Sequence, residues 1–266
     1  MAELYHAITG IDRMERLAME DSPVHRIHPM PKLITTLIYI IAVVSFPPHN
    51  ISGLVPFVFY PAIMMPLSGT PYRPILKMLL AALPFSLMAG LGNLLLMRNT
   101  AFHIGSLAVS QGMVSFASVM LKTMLTVFAV LILIATTPFI EINRQLVAMR
   151  IPKIFCLSLI MTYRYLSVLL GEAASMFTAY SMRAPGKKGI VMKDMGGFLG
   201  LLILRSFDRA ERVYQAMKCR GFQNIYHGKK REGPRWHDWV YAVSLSLAIL
   251  ILRFFNLSLF WGGLAG

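Results

Sequence analysis

Apolar residues in this chain gather into long, nearly unbroken runs instead of the one-face patterns of a water-soluble domain. A membrane-spanning helix needs about 20 predominantly apolar residues, within about 17–25. Five runs approach that length: Leu33–Phe46, Ile51–Leu67, Ile75–Met97, Met113–Thr137 and Trp239–Leu257. The first is short. It is flanked by Lys32, whose stem could snorkel, and by Pro47 and Pro48. The second carries Pro56, Pro61 and Pro66, which predict a kinked or distorted helix. These two could instead form one irregular membrane unit. The pattern predicts about five spans, within a range of four to six.

From residue 138 to 237 the pattern changes to long amphipathic helices. Pro138 opens a short helix through Met149, and Ile151-Pro152 breaks it. A second helix runs from about Lys153 to Met182 and stops at Arg183-Ala184-Pro185-Gly186, with Lys187-Lys188-Gly189 as a loop. A third runs from about Phe198 to Lys218 and stops at Gly221. Leu199, Ile203, Ser206, Ala210, Val213 and Met217 have the spacing of a helix–helix seam. Arg205, Arg209 and Arg212 mark another face, either a working face of a coupling helix or one that is simply solvated or in contact with headgroups, with Asp208 and Glu211 in reach of pairing. Both long helices end on an arginine beside a small residue: Met182-Arg183-Ala184 and Cys219-Arg220-Gly221. The helix dipole accounts for one such arginine. Two in one block suggest docking tips, because guanidinium binds carboxylate in a bidentate way and stays charged when desolvated.

Composition agrees with a lipid-facing surface. Only 14% of the 266 residues are charged and 56% are hydrophobic, where a soluble domain carries about 25% charged residues. No acidic residue lies between Asp21 and Glu141, or after Asp238. The net charge of +14 is concentrated in residues 138–237, where seventeen Lys and Arg face six acids. The positive-inside rule therefore places this block and the N-terminus in the cytoplasm and the C-terminus outside. The acid-rich first thirty residues do not resemble a cleaved signal. Four segments follow: an interfacial or cytoplasmic stretch 1–32, four spans in 33–137, a cytoplasmic helical block 138–237, and the last span with its outer tail in 238–266. Besides Lys77, just inside the third span, two cations lie within spans. Arg253 is expected to snorkel outward, and Lys122 to point into the bundle or toward another subunit. Cys156 and Cys219 are expected to be free thiols if the block is cytoplasmic.

Several chemistries lack their residues. There is no GxxxxGK[ST] phosphate loop, no HExxH and no GxSxG. The first four spans contain no acid, which disfavours a self-contained cation-coupled permease, and no paired carboxylates suggest a magnesium-dependent membrane enzyme. The seven His are scattered, so no metal site is expected, and the nineteen Met suit membrane packing. Basic residues beside spans point to anionic lipid and protein partners, not to nucleic acid.

The stretch Leu204–Phe222, with Arg-Ser-Phe-Asp-Arg-Ala-Glu-Arg-Val-Tyr-Gln-Ala-Met-Lys-Cys-Arg-Gly-Phe from Arg205, resembles the signature of the transmembrane T component of energy-coupling factor transporters. Asp21–Pro29 and Tyr163-Arg164-Tyr165 resemble its cobalt-type, CbiQ-like branch, and the similarity covers nearly the whole chain. The resemblance implies an all-α membrane protein with a cytoplasmic domain of coupling helices, in a prokaryotic cell membrane. It implies a non-catalytic subunit linking two cytoplasmic ATPase subunits to a substrate-binding S component. Arg183 with Ala184, and Arg220 with Gly221, match the tips that dock into the ATPases. Ala184 departs from the family's usual glycine. ATP and magnesium would be bound by the ATPases and cobalt by the S component. Nickel or a vitamin could replace cobalt, since specificity would lie in another chain.

Overall fold

The computed structural model describes residues 15, 17–47, 51–96, 100–104, 107–183, 189–222 and 233–254. Ala184 and the tail after Phe254 lie outside the described residues. Among the described residues the protein is helical, apart from a short antiparallel hairpin of β1 (Thr100–Ile104) and β2 (Leu107–Ser110) between the third and fourth apolar runs. The chain divides into two compact units, Leu17–Phe139 with Glu232–Gly266, and Ile140–Arg231.

The first unit begins with α1 (Pro23–Arg26) and α2 (Pro29–Val44). A distorted segment follows, 3-10 over Ser52–Val58 and then α3 (Phe59–Ser68). Pro56 and Pro66 lie inside these helices, which accounts for the tighter winding and the short lengths. The long pair α4 (Tyr72–Leu96) and α5 (Gln111–Thr136) comes next, and α9 (Trp236–Phe254) completes the unit. Among the described residues, four helices are long and apolar enough to cross a membrane: α4, α5, α9 and, in the second unit, α7 (Lys153–Arg183). The two expected N-terminal spans are the shorter helices Pro29–Val44 and Ser52–Ser68. Among the charged residues of α7 are Arg164 and Glu172, wide enough apart to leave long apolar stretches in a helix read from the sequence as extramembranous.

Tyr39 of α2 sits at the centre of the first unit. Its ring stacks on Tyr60 with centroids 4.4 Å apart, and its hydroxyl donates to Phe57 O at 2.9 Å. Leu54, Val43, Leu125, Ala129, Ile132 and Ile249 close the core around it. The α4–α5 contact is built on small residues, as membrane helices require for close approach. Gly90 and Ser86 of α4 are buried, as are Gly112, Ser115 and Ser118 of α5. A Cβ on Gly90 would lie 2.6 Å from Phe116 Cδ2.

The helix ends are joined by polar side chains. Lys32 is only 4% exposed and donates from Nζ to Thr136 O at 3.0 Å, at the C-terminus of α5. It therefore does not snorkel: a carbonyl inside the unit is within reach. His25 supports the same end. Its Nε2 meets Leu17 O at 3.0 Å and Ala135 O at 3.3 Å, and its Nδ1 lies 2.7 Å from Ser22 Oγ. Carbonyls only accept, so Nε2 is the donor to them. At the far end of α2 the relation is reversed. Lys122 of α5 donates to Phe46 O at 2.5 Å. Arg253 of α9 donates to Ser45 O and Ser45 Oγ, each at 3.2 Å, and lies 4.3 Å from the Phe46 ring centre. Lys122 thus points into the bundle, and Arg253 reaches the exposed Ser45 at the end of α2.

These contacts fix directions. From Lys32 to Ser45, and from Lys122 to Thr136, the helical rise is about 20 Å in each case. Helices α2 and α5 are therefore antiparallel and in register at both clamps. The Asp238 carboxylate accepts from His28 N at 3.1 Å and Arg235 N at 2.8 Å, so α9 starts beside α2 and runs parallel to it.

Two variants test this packing. Gly90→Ala should destabilise the protein by about 1–3 kcal/mol through overpacking, read as earlier thermal unfolding in detergent, and Phe116→Leu should restore part of the loss. Lys32→Met should cost about 1–3 kcal/mol by leaving Thr136 O without its donor. A melting profile equal to wild type in either single variant would contradict the contact concerned.

Candidate functional site

The second unit holds α6 (Phe139–Ala148), α7 and α8 (Met192–Cys219). Asn143 of α6 donates from Nδ2 to Cys156 O at 3.0 Å, tying α6 to the first turn of α7. Between them Arg150 takes a positive φ of 65°. There Ile151 N donates to Leu146 O at 3.2 Å and Arg150 N to Val147 O at 3.1 Å. A non-glycine residue in that position is strained, because its Cβ crowds the carbonyl that follows.

Helix α8 begins at Met192, six residues earlier than the sequence pattern indicates. Gly196-Gly197 costs helix stability without ending the helix. The Val191 carbonyl starts the first turn, accepting from Asp194 N at 2.8 Å and Met195 N at 3.1 Å. Asp194 in that turn opposes the positive end of the helix dipole.

Helices α7 and α8 lie antiparallel. Near the connecting loop Tyr180 Oη donates to Asp194 Oδ2 at 2.7 Å. Farther along, Arg205 donates to Glu172 in a salt bridge. Beyond that bridge the helices frame an apolar groove of about 330 Å³, lined by Met161, Tyr165 and Leu169 of α7 and by Ser206, Val213 and Met217 of α8 among others. Four of the six expected seam residues (Ser206, Ala210, Val213 and Met217) line this groove, while Leu199 and Ile203 are exposed.

The three arginines have different surroundings. Arg205 pairs with α7, Arg209 lines the groove and is half-buried, and Arg212 is exposed. The least exposed line of α8 passes through Ser206, Arg209, Val213 and Met217, rotated slightly from the expected seam. No residue of α8 is fully buried, and Leu204, Phe207 and Tyr214 stand open.

The two arginine ends are held differently. Arg220 caps α8, followed by Gly221 at φ 74°. Phe222 N donates to Met217 O at 3.1 Å and Gly221 N to Lys218 O at 2.9 Å. This paired arrangement is a Schellman motif, in which glycine supplies the left-handed residue without steric cost. Arg183 is the last residue of α7 and is exposed. Its neighbour Ala184 lies outside the described residues, so the tip is defined from the α7 side alone. Cys219, between Lys218 and Arg220, is an exposed free thiol, and Cys156 is a buried one.

Among the described residues, no three His, Cys, Asp or Glu side chains converge on a point where a metal ion could sit. Sequence reasoning missed Tyr180, Asp194 and Glu172. Each lies on a helix whose partner could not be identified without knowing the register between α7 and α8.

Comparison with known proteins agrees with this architecture. The family described as Cobalt transport protein, CbiQ, matches residues 20–231. The Nickel permease LarQ of Lactiplantibacillus plantarum is 28% identical over 120 residues, 45% of this chain and 44% of that protein. The Putative fused cobalt transport protein CbiMQ of Methanocorpusculum labreanum is 26% identical over 241 residues, 86% of this chain and 40% of that protein. The matched segments thus span less than half the length of each relative. With most of its length matched and with several helices apolar enough to cross a bilayer, this multi-pass membrane protein belongs to the CbiQ family of cobalt transport proteins.

Proposed function

We propose that this chain is the energy-coupling membrane subunit of an ATP-driven uptake transporter of the energy-coupling factor type. It would join two cytoplasmic ATPase subunits to a membrane subunit that binds the metal. The observation that carries this reading is the α7–α8 pair: two long helices, each closed by an exposed arginine, with an open apolar face along α8. Arg183 and Arg220 would enter carboxylate-bearing grooves of the ATPases. Closure of those subunits on ATP would then move the helices and reorient the metal-binding partner. The chain itself would perform no chemistry.

Cobalt is the proposed cargo, from the family and from the name of the fused relative. Nickel is the second reading, supported by the similarity to a nickel permease. In either case the ion would be held by the partner subunit. Residues 138–237 are proposed to lie in the cytoplasm with the N-terminus, on the strength of their seventeen Lys and Arg.

The docking reading predicts that Arg183→Ala with Arg220→Ala releases the ATPases or uncouples hydrolysis from uptake, while the protein still inserts. Removing one partner of a desolvated charge pair typically costs about 2–5 kcal/mol, against about 0.3–1 kcal/mol for a helix-dipole contact. Arg→Lys should rescue poorly, since lysine lacks the bidentate fork. Normal copurification and wild-type uptake in the double variant would refute docking. Topology is tested by cysteine labelling at position 187 in a version lacking Cys156 and Cys219. Modification is expected only after the membrane is opened; labelling from outside intact cells would place this loop on the other side.

A further inference from the structure

The two arginine ends differ in how the main chain is fixed beneath them. Arg220 rests on a closed backbone motif that needs nothing outside its own helix. Arg183 has no such motif among the described residues. Within the same last turn of α7, however, Tyr180 reaches across to α8. Its hydroxyl donates to Asp194 Oδ2 at 2.7 Å and lies 3.5 Å from Val191 N. Tyr180 and Arg183 are three residues apart, so they share one face of the helix. Asp194 and Val191 are the first turn and the N-cap of α8. The contact therefore ties the last turn of one helix to the first turn of the next, across the loop.

We propose that Tyr180 and Asp194 form a latch that positions Arg183 for docking, and that they are positioning residues for this end alone. The inference rests on the coupling reading above and deepens it. A phenol bound to a carboxylate is a charge-assisted hydrogen bond, shorter and stronger than a neutral one. It restrains both helices at the point where the chain turns. Without it, the next α7–α8 ion pair among the described residues is the Glu172–Arg205 bridge, about three turns from Arg183 along α7. That distance gives the Arg183 end freedom to swing, and an arginine must then be ordered at the moment of docking. Ordering on binding lowers affinity even when every final contact is preserved. The latch also gives Asp194 a task beyond its interaction with the helix dipole, and it assigns a role to the six residues by which α8 extends past its expected start.

The test uses the full chain in detergent with its copurifying ATPase subunits. Tyr180→Phe removes one hydroxyl and keeps the ring. It should speed amide hydrogen exchange at Val191–Met195 and weaken ATPase binding by about two- to tenfold, the range of one lost hydrogen bond. Asp194→Asn keeps an acceptor oxygen and should lose less than Asp194→Ala. The decisive comparison is a double-mutant cycle. Tyr180→Phe should add nothing to the loss in an Arg183→Ala background and should add fully to Arg220→Ala. A purely structural contribution would lower affinity equally in both backgrounds, and that result overturns the proposal. Unchanged exchange at Val191–Met195 also overturns it. If Arg183→Ala itself binds normally, the docking reading fails and the latch loses its role. If Arg183→Ala weakens binding while Tyr180→Phe does not, the latch alone fails.

Discussion

A helix that ends in apolar surroundings leaves carbonyl groups that water cannot reach, and each needs a donor from the protein. The first unit is organised around that need. Lys32 serves the end of α5, while Lys122 and Arg253 serve the end of α2. A cation at a helix C-terminus also meets the negative end of the macrodipole, so charge and hydrogen bonding act in the same direction. Because α2 and α5 each supply the lysine that closes the other, their register is specified twice. The Tyr39 core then packs between elements whose relative heights are already set.

Much of this was legible in the residues. The long apolar runs mark α4, α5 and α9 nearly to their ends, and the three prolines of the second run mark the distorted helix. Glycine at 221 marks the end of α8, because the left-handed conformation it adopts is costly for other residues. What sequence could not disclose were pairings between distant positions. Lys32 reads as a snorkelling residue until its acceptor, 104 positions away, is placed beside it. Arg205 and Arg209 read as one stripe until α7 lies against them, after which one forms a bridge and the other lines a groove. The early start of α8 was hidden by Gly196-Gly197, whose low propensity is outweighed by the hydrogen bonds around Val191 and Asp194.

The second unit has a different physical character. Its helices make few buried contacts with each other: α8 has no buried residue, and large apolar side chains such as Phe207 and Leu204 are open. A helix pair in this condition gains stability from what it binds, because its own interface removes little apolar surface from contact with the surroundings. The strained Arg150 lies at the corner leading into it. Strain of this kind persists only where neighbouring hydrogen bonds enforce it, as the two at Leu146 and Val147 do here.

The unequal lengths in the first unit have a consequence for the surrounding lipid. Helices α4 and α5, at 25 and 26 residues, rise about 38 Å, while α2, at 16, rises about 24 Å. A hydrocarbon layer about 30 Å thick matches neither α2 nor the long pair. A helix taller than this layer is accommodated by tilting or by local thickening of the bilayer, and a shorter one by thinning or by snorkelling of its flanking residues. Each ångström of mismatch costs a fraction of a kcal/mol. Tilt of the long pair would lower that cost, and packing against neighbouring helices sets how much tilt is allowed.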